Sequence, residues 1–244
     1  MRAAELERRA REAPRAPSFE ATLRGPRVAV IAEIKRRSPS KGPIDETIDA
    51  ADRARLYERS GAAALSVLTE PAHFGGSAED LESVRGAVGL PLLCKDFHVD
   101  PLQLLEARAL GASAALLIAR ALGPGHLERM IAAGIDAELE LLVEVRDDRE
   151  LDRALQAGAR MIGVNTRNLE TLDLDPSVGT RLVRQVPPDL VAVHESGVRE
   201  RGDVERAAEA GADAVLVGSA LSASADPESL LRSLADVGRS GRAG

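Results

Sequence analysis

The 244-residue sequence predicts an α/β fold, a single (β/α)8 TIM barrel with an extra N-terminal helical segment. Three observations point there. Eight short apolar runs of strand type alternate with segments whose apolar residues recur at helical spacing. Four of those runs begin alike, with glycines at 61, 111, 158 and 211, a period of about fifty residues that spans two βα units. The length is also one that an α/β barrel fills without dividing into domains.

Taken in order, residues 1–27 read as an extra helix followed by a Pro/Gly-containing approach to the first strand, VAVIAEIK. The second strand lies in SGAAALSVL, the third in LPLLCKD, the fourth in LGASAALLI and the fifth in ELELLVEV. AGARMIGVN, DLVAVHESG and AGADAVLVG supply the sixth to eighth. Segments between them, such as DPLQLLEARALG, DDRELDRALQAG and ERGDVERAAEAG, open on an acid-rich turn and stop at glycine, as helices do. The whole of 1–244 is expected to be one barrel domain, with a frayed Gly/Arg/Ser-rich tail from about residue 238 to 244.

The net charge is -7, and the arginines are dispersed among acids along helical stretches rather than massed on one stripe. That distribution argues against nucleic acid as a partner. No apolar run reaches the length of a membrane span, and the charged N-terminus lacks a signal-type apolar segment, so a cytoplasmic protein is expected. A single cysteine and four scattered histidines offer no metal-ligand spacing, so no metal is expected.

In such barrels chemistry sits at the carboxyl ends of the strands. There the sequence places Glu33 and Lys35 on the first strand, Lys95 on the third, Glu144 on the fifth, Asn165 and Arg167 on the sixth, Glu195 and Ser196 on the seventh, and Gly218 and Ser219 on the eighth. Strand alternation puts Glu33 and Lys35 on one face, above apolar residues in phase with them. Of 32 basic residues only Lys35, Lys41 and Lys95 are lysines, and the only asparagines are Asn165 and Asn168. A compact ammonium that can pass a proton is not replaced by a guanidinium that stays charged. Biased base composition is the alternative source of that pattern, and Glu144 and Glu195 also fit as structural acids paired inside the barrel mouth. Cys94 should face the helices as a small core residue, and His98 and His194 are assigned no chemistry. Phe74 and Phe97 follow strand ends, where aromatics wall ligand pockets. Small residues in ESG and VGSAL free backbone N–H groups, the usual barrel site for a substrate phosphate.

Through EIKRRSPSKG, LTEPAHFGGS, LLCKDFHVDPLQ, LLVEVRD, IGVNTRNLET, HESGV and GADAVLVGSAL, in order, the chain resembles the indole-3-glycerol phosphate synthase family of tryptophan biosynthesis. The resemblance implies a lyase that converts the phosphorylated small molecule 1-(2-carboxyphenylamino)-1-deoxyribulose 5-phosphate to indole-3-glycerol phosphate, carbon dioxide and water, without cofactor or metal. It makes Lys95 the general acid at ring closure and Glu144 the acid/base residue of the later dehydration. Lys35 is to hold the anthranilate carboxylate and exchange protons in dehydration, with Glu33 orienting its neighbours and the substrate hydroxyls. Asn165, Glu195 and Ser196 line the site with Arg167 beside them. Ser38, Gly197, Gly218 and Ser219 take the phosphate, and Phe74, Pro39 and Phe97 wall the aromatic ring. The absence of tryptophan departs from members that build part of that wall from it. A monomer is expected, with oligomers left open. A Schiff-base aldolase, which also places a lysine beside an acid at a strand end, and a barrel that only binds a sugar phosphate are the alternatives.

Overall fold

A computed structural model describes residues 3–39, 42–167 and 176–241. Eight parallel strands close a barrel: β1 Ala29–Ile34, β2 Ala64–Leu68, β3 Leu92–Lys95, β4 Ala114–Ile118, β5 Glu140–Val145, β6 Met161–Asn165, β7 Val191–Glu195 and β8 Ala214–Val217. Each strand pairs with its neighbours in sequence, and β8 returns to β1. The helices are α1 Ala3–Glu12, α2 Phe19–Thr22, α3 Ala50–Arg59, α4 Pro71–Phe74, α5 Ala78–Ala87, α6 Pro101–Ala109, α7 His126–Asp136, α8 Asp148–Gln156, α9 Pro176–Gln185, α10 Arg201–Glu209, α11 Ser219–Ala223 and α12 Pro227–Ala235. A two-stranded ribbon, Arg37–Ser38 with Gly42–Pro43, follows β1.

Side-chain alternation divides the core in two. Outward-facing strand residues such as Val30, Ala32, Cys94, Val143 and Val215 pack against the helices, while Ile31, Ala64, Leu93, Ala114, Leu116, Leu142, Met161, Val193 and Leu216 fill the barrel. The four glycines of the fifty-residue repeat all lie just past helix ends with left-handed φ of 85 to 98°, a conformation in which glycine carries no Cβ penalty. Helix starts are equally local. Asp100 caps α6 in a reciprocal pair with Gln103, with Pro101 in the first turn.

The N-terminal segment closes the far end of the barrel. Phe19 and Leu23 are fully buried in the interior cluster with the first residues of β1, β4, β6, β7 and β8. Glu140, at the start of β5, accepts hydrogen bonds from Ser18 Oγ and Glu20 N at 2.7 Å each, which holds α2 across the opening. α1 lies against α6, where buried Arg108 donates to the carbonyls of Ala13 and Pro14. Where fraying was expected from about residue 238, Gly238 bridges Arg27 and Arg239 forms an ion pair with buried Asp213 at 3.0 Å. Among the described residues, no helix is long and apolar enough to cross a membrane.

Candidate active site

The inward face of each odd-numbered strand changes from apolar to charged at its carboxyl end. Ile31 is followed by Glu33 and Lys35, Leu93 by Lys95, Leu142 by Glu144 and Val193 by Glu195. Filling a barrel in layers drawn from alternate strands is how this architecture packs. Here the uppermost such layer is ionic rather than aliphatic.

The carboxylates of Glu33, Glu144 and Glu195 are 3, 3 and 1% exposed, a burial that disfavours charge unless it is paired. Lys95 Nζ lies between two of them, 3.1 Å from Glu195 Oε2 and 3.4 Å from Glu33 Oε2. Lys35 Nζ donates to the other oxygen of Glu33 at 2.5 Å. Burial opposes ionisation of Glu33, but the two ammonium groups outweigh it and hold the carboxyl down at about 2. Burial likewise opposes the Lys95 ammonium, yet Glu195, Glu33 and Glu144 together keep it above the ordinary lysine range. Glu144 behaves oppositely. Burial and then the charge of Glu195 raise it to about 7, against the pull of Lys95 and a hydrogen bond from the Asn165 amide. One layer therefore holds a lysine that stays protonated and an acid that exchanges its proton near neutrality.

Asn165 links this layer to the loops. Its Oδ1 accepts from Ser196 Oγ and from the Arg167 backbone N–H, both at 2.9 Å. Ser196 and Gly197 turn the chain with consecutive left-handed φ values of 66° and 82°, and a non-glycine residue there requires support. Thr166 supplies it: its hydroxyl donates toward the carbonyls of Glu195 and Ser196 at 3.3 and 3.4 Å. On the neighbouring strand end Gly218 precedes Ser219, the first residue of α11. Gly218 also lies against the first strand's pair, since a Cβ there would fall 2.2 Å from Glu33 Oε1 and 2.9 Å from Lys35 Nζ.

Glu33, Lys35, Lys95, Glu144, Asn165, Glu195, Ser196 and the Arg167 backbone thus form one bonded or electrostatically coupled set. Ser38 is buried in the ribbon after β1, and Gly197, Gly218 and Ser219 flank the same face. Phe74, at the end of α4, Phe97, 45% exposed, and exposed Pro39 stand on loops of that face, outside the set. Lys41 and Asn168 lie outside the described residues. Cys94 is buried among helix-facing residues, and burial pushes its thiol up to about 12. His98 is buried too, its Nδ1 2.8 Å from the Leu116 carbonyl oxygen, so it ties the loop after β3 to the middle of β4.

Two contributors escaped sequence reasoning. Thr166 reads as an ordinary strand-end threonine. Arg36 clamps Asp80 through its two terminal guanidinium nitrogens at 2.6 and 2.8 Å and donates to the carbonyls of Ile48 and Gly75, joining the loops after β1 and β2. With 29 arginines in the chain, composition offers no signal that singles it out.

The family model described as indole-3-glycerol phosphate synthase matches residues 1–234. A protein of that name from Parafrankia sp. (strain EAN1pec) is 50% identical over 239 residues, covering 96% of this chain and 88% of its own length. Another, from Mycolicibacterium gilvum, is 47% identical over 235 residues, 96% of this chain and 86% of the relative. Among solved structures, thiamine phosphate pyrophosphorylase from Pyrococcus furiosus superposes with a TM-score of 0.63 over 87% of this chain and 95% of that one; at 16% identity it shares the fold alone. With its barrel, its ionic layer and a family match that spans nearly the whole sequence, the chain belongs to the indole-3-glycerol phosphate synthase family.

Proposed function

We propose that this chain closes the indole ring of 1-(2-carboxyphenylamino)-1-deoxyribulose 5-phosphate, releasing carbon dioxide and water, and that the ionic layer carries the chemistry. The observation that carries this reading is the pairing, in one buried layer, of a lysine held protonated by Glu33 and Glu195 with a glutamate raised to about 7. Attack of the carboxylate-bearing ring carbon on the substrate ketone forms the new carbon–carbon bond and drives electrons onto the ketone oxygen. Lys95 gives that oxygen its proton; a positioned donor contributes roughly 10²–10⁴-fold. Loss of carbon dioxide returns its bonding electrons to the ring. The new hydroxyl then departs as water while the neighbouring CH2, the former C1 of the sugar, loses a proton and the ring nitrogen keeps its own, and Glu144 moves a proton in that dehydration.

In this reading Lys35 holds the anthranilate carboxylate and takes part in the dehydration, while Glu33 pairs with both lysines and, with Asn165, Glu195, Ser196 and Arg167, orients the sugar hydroxyls. The phosphate sits against Ser38, Gly197, Gly218 and Ser219, where two small-residue turns end adjacent strands, the place where barrels of this kind bind phosphate. Phe74, Phe97 and Pro39 flank the aromatic ring. Every group comes from one chain, so a monomer working in the cytoplasm suffices.

Mass spectrometry of the product after incubation with that substrate tests the reaction: the mass should fall by carbon dioxide plus water. Borohydride added during turnover should leave the protein mass unchanged. A reduced adduct on Lys95 would instead assign a Schiff-base aldolase, and unchanged substrate would leave a barrel that only binds.

A further inference from the structure

We propose that Gly163 is a positioning residue: by presenting no side chain to the barrel interior it leaves the seat occupied by the Glu195 carboxylate, and so sets the Lys95–Glu195 ion pair. Gly163 lies inside β6, its inward position following Met161 and preceding Asn165, opposite Glu144 of β5 and Val193 of β7. A strand interior disfavours glycine by roughly 0.5–1 kcal/mol relative to alanine, so the strand alone gives no reason for it. The reason lies in what a methyl would meet. A Cβ at 163 would fall 2.1 Å from Glu195 Oε1 and 3.2 Å from its Cδ, whereas the next neighbour, Leu142 Cδ1, stands at an ordinary 3.5 Å. Nothing but the carboxylate is in the way.

That carboxylate has nowhere else to go. Glu195 is 1% exposed, and its Oε2 is bound to Lys95 at 3.1 Å while Oε1 lies buried over the glycine. The carboxylate is planar, so displacing Oε1 swings Oε2 from the lysine as well. The charged groups facing it are Lys95 on β3 and Glu144 on β5, with Glu33 on β1 sharing the lysine, so the displacement reaches each acid and base of the layer. The same device recurs at Gly218 beneath Glu33, but that residue also belongs to the proposed phosphate turn. Gly163 touches no proposed phosphate residue, which makes it the cleaner place to test.

The turnover readout rests on the function proposed above, and the test therefore includes one that does not. Gly163→Ala, Glu195→Asp and the double variant form a cycle measured by kcat, KM and melting temperature. A displacement of this kind costs on the order of 10²-fold. Gly163→Ala should lose that in kcat with KM changed less than about twofold, and Glu195→Asp, costly alone, should cost nothing further or restore rate in the alanine background. Near-wild-type turnover of Gly163→Ala, or two losses that simply multiply, would overturn the proposal. Should Gly163→Ala fold poorly, the shorter acid should bring back its melting temperature; a melting temperature that stays low would place the obstacle elsewhere and likewise overturn it. A wild-type protein without turnover would reject the function, while the melting-temperature cycle would still decide the seat.

Discussion

Burial raises both Glu144 and Glu33, yet the two are driven in opposite directions: the charge of Glu195 adds to burial at Glu144, whereas two ammonium groups outweigh it at Glu33. Stability carries the imprint of both. Folded Glu144 keeps its proton up to about 7, well above the ordinary value of 4.5, so between those values the folded chain binds more protons than the unfolded one. Its contribution is present at low pH and is lost as pH rises through about 7. Folded Glu33 titrates at about 2, so its contribution is present above 4.5 and is lost as pH falls toward 2. Glu144→Gln should therefore flatten the fall in melting temperature between about pH 5 and pH 7.5 relative to the parent, and parallel curves would contradict the raised carboxyl. Ser219, at the first turn of α11, calls for a different measurement. Ser219→Ala should raise KM about tenfold, the loss of about 1.4 kcal/mol of binding, with kcat nearly kept; an unchanged KM would remove it from the phosphate site.

The elements divide the labour between the two ends of the barrel. α2 seals the end opposite the ionic layer with Phe19, and burying a phenylalanine in a closed core is worth about 3–5 kcal/mol against alanine. Phe19→Ala should lower unfolding free energy by about that much in urea titrations while kcat of the folded protein stays at the parent value; a stability change below about 1 kcal/mol would show that the end is sealed without it. The eight strands and their glycine stops were legible in the sequence, because periodicity and the left-handed positions at 61, 111, 158 and 211 are local properties. α2, α4 and the ribbon after β1 were not. Elements of two to four residues span too little chain to show a period, and their existence depends on distant partners such as Glu140 for α2. The contact that holds Arg239 is equally non-local, since its partner Asp213 is remote in sequence.

Across the barrel, polarity sorts by height, with apolar layers below and a neutralising set of three acids and two lysines above. Much of that upper set was legible, because rare lysines and asparagines at strand ends stand out against an arginine-rich background. Thr166, Arg36 and Gly163 were not, since each acts through a contact that only closure of the barrel creates. If the ionic layer is the reaction centre, its lysine must donate the proton that ring closure demands. The decisive measurement is the growth of indole fluorescence when 1-(2-carboxyphenylamino)-1-deoxyribulose 5-phosphate is mixed with the parent protein and with Lys95→Ala, against the quiet background of a chain without tryptophan. Emission should rise in proportion to the parent enzyme and fall at least 10²-fold in rate for the variant at an unchanged melting profile. Equal rates for the two, or no emission from the parent while the ligand still raises its melting temperature, would contradict the assignment.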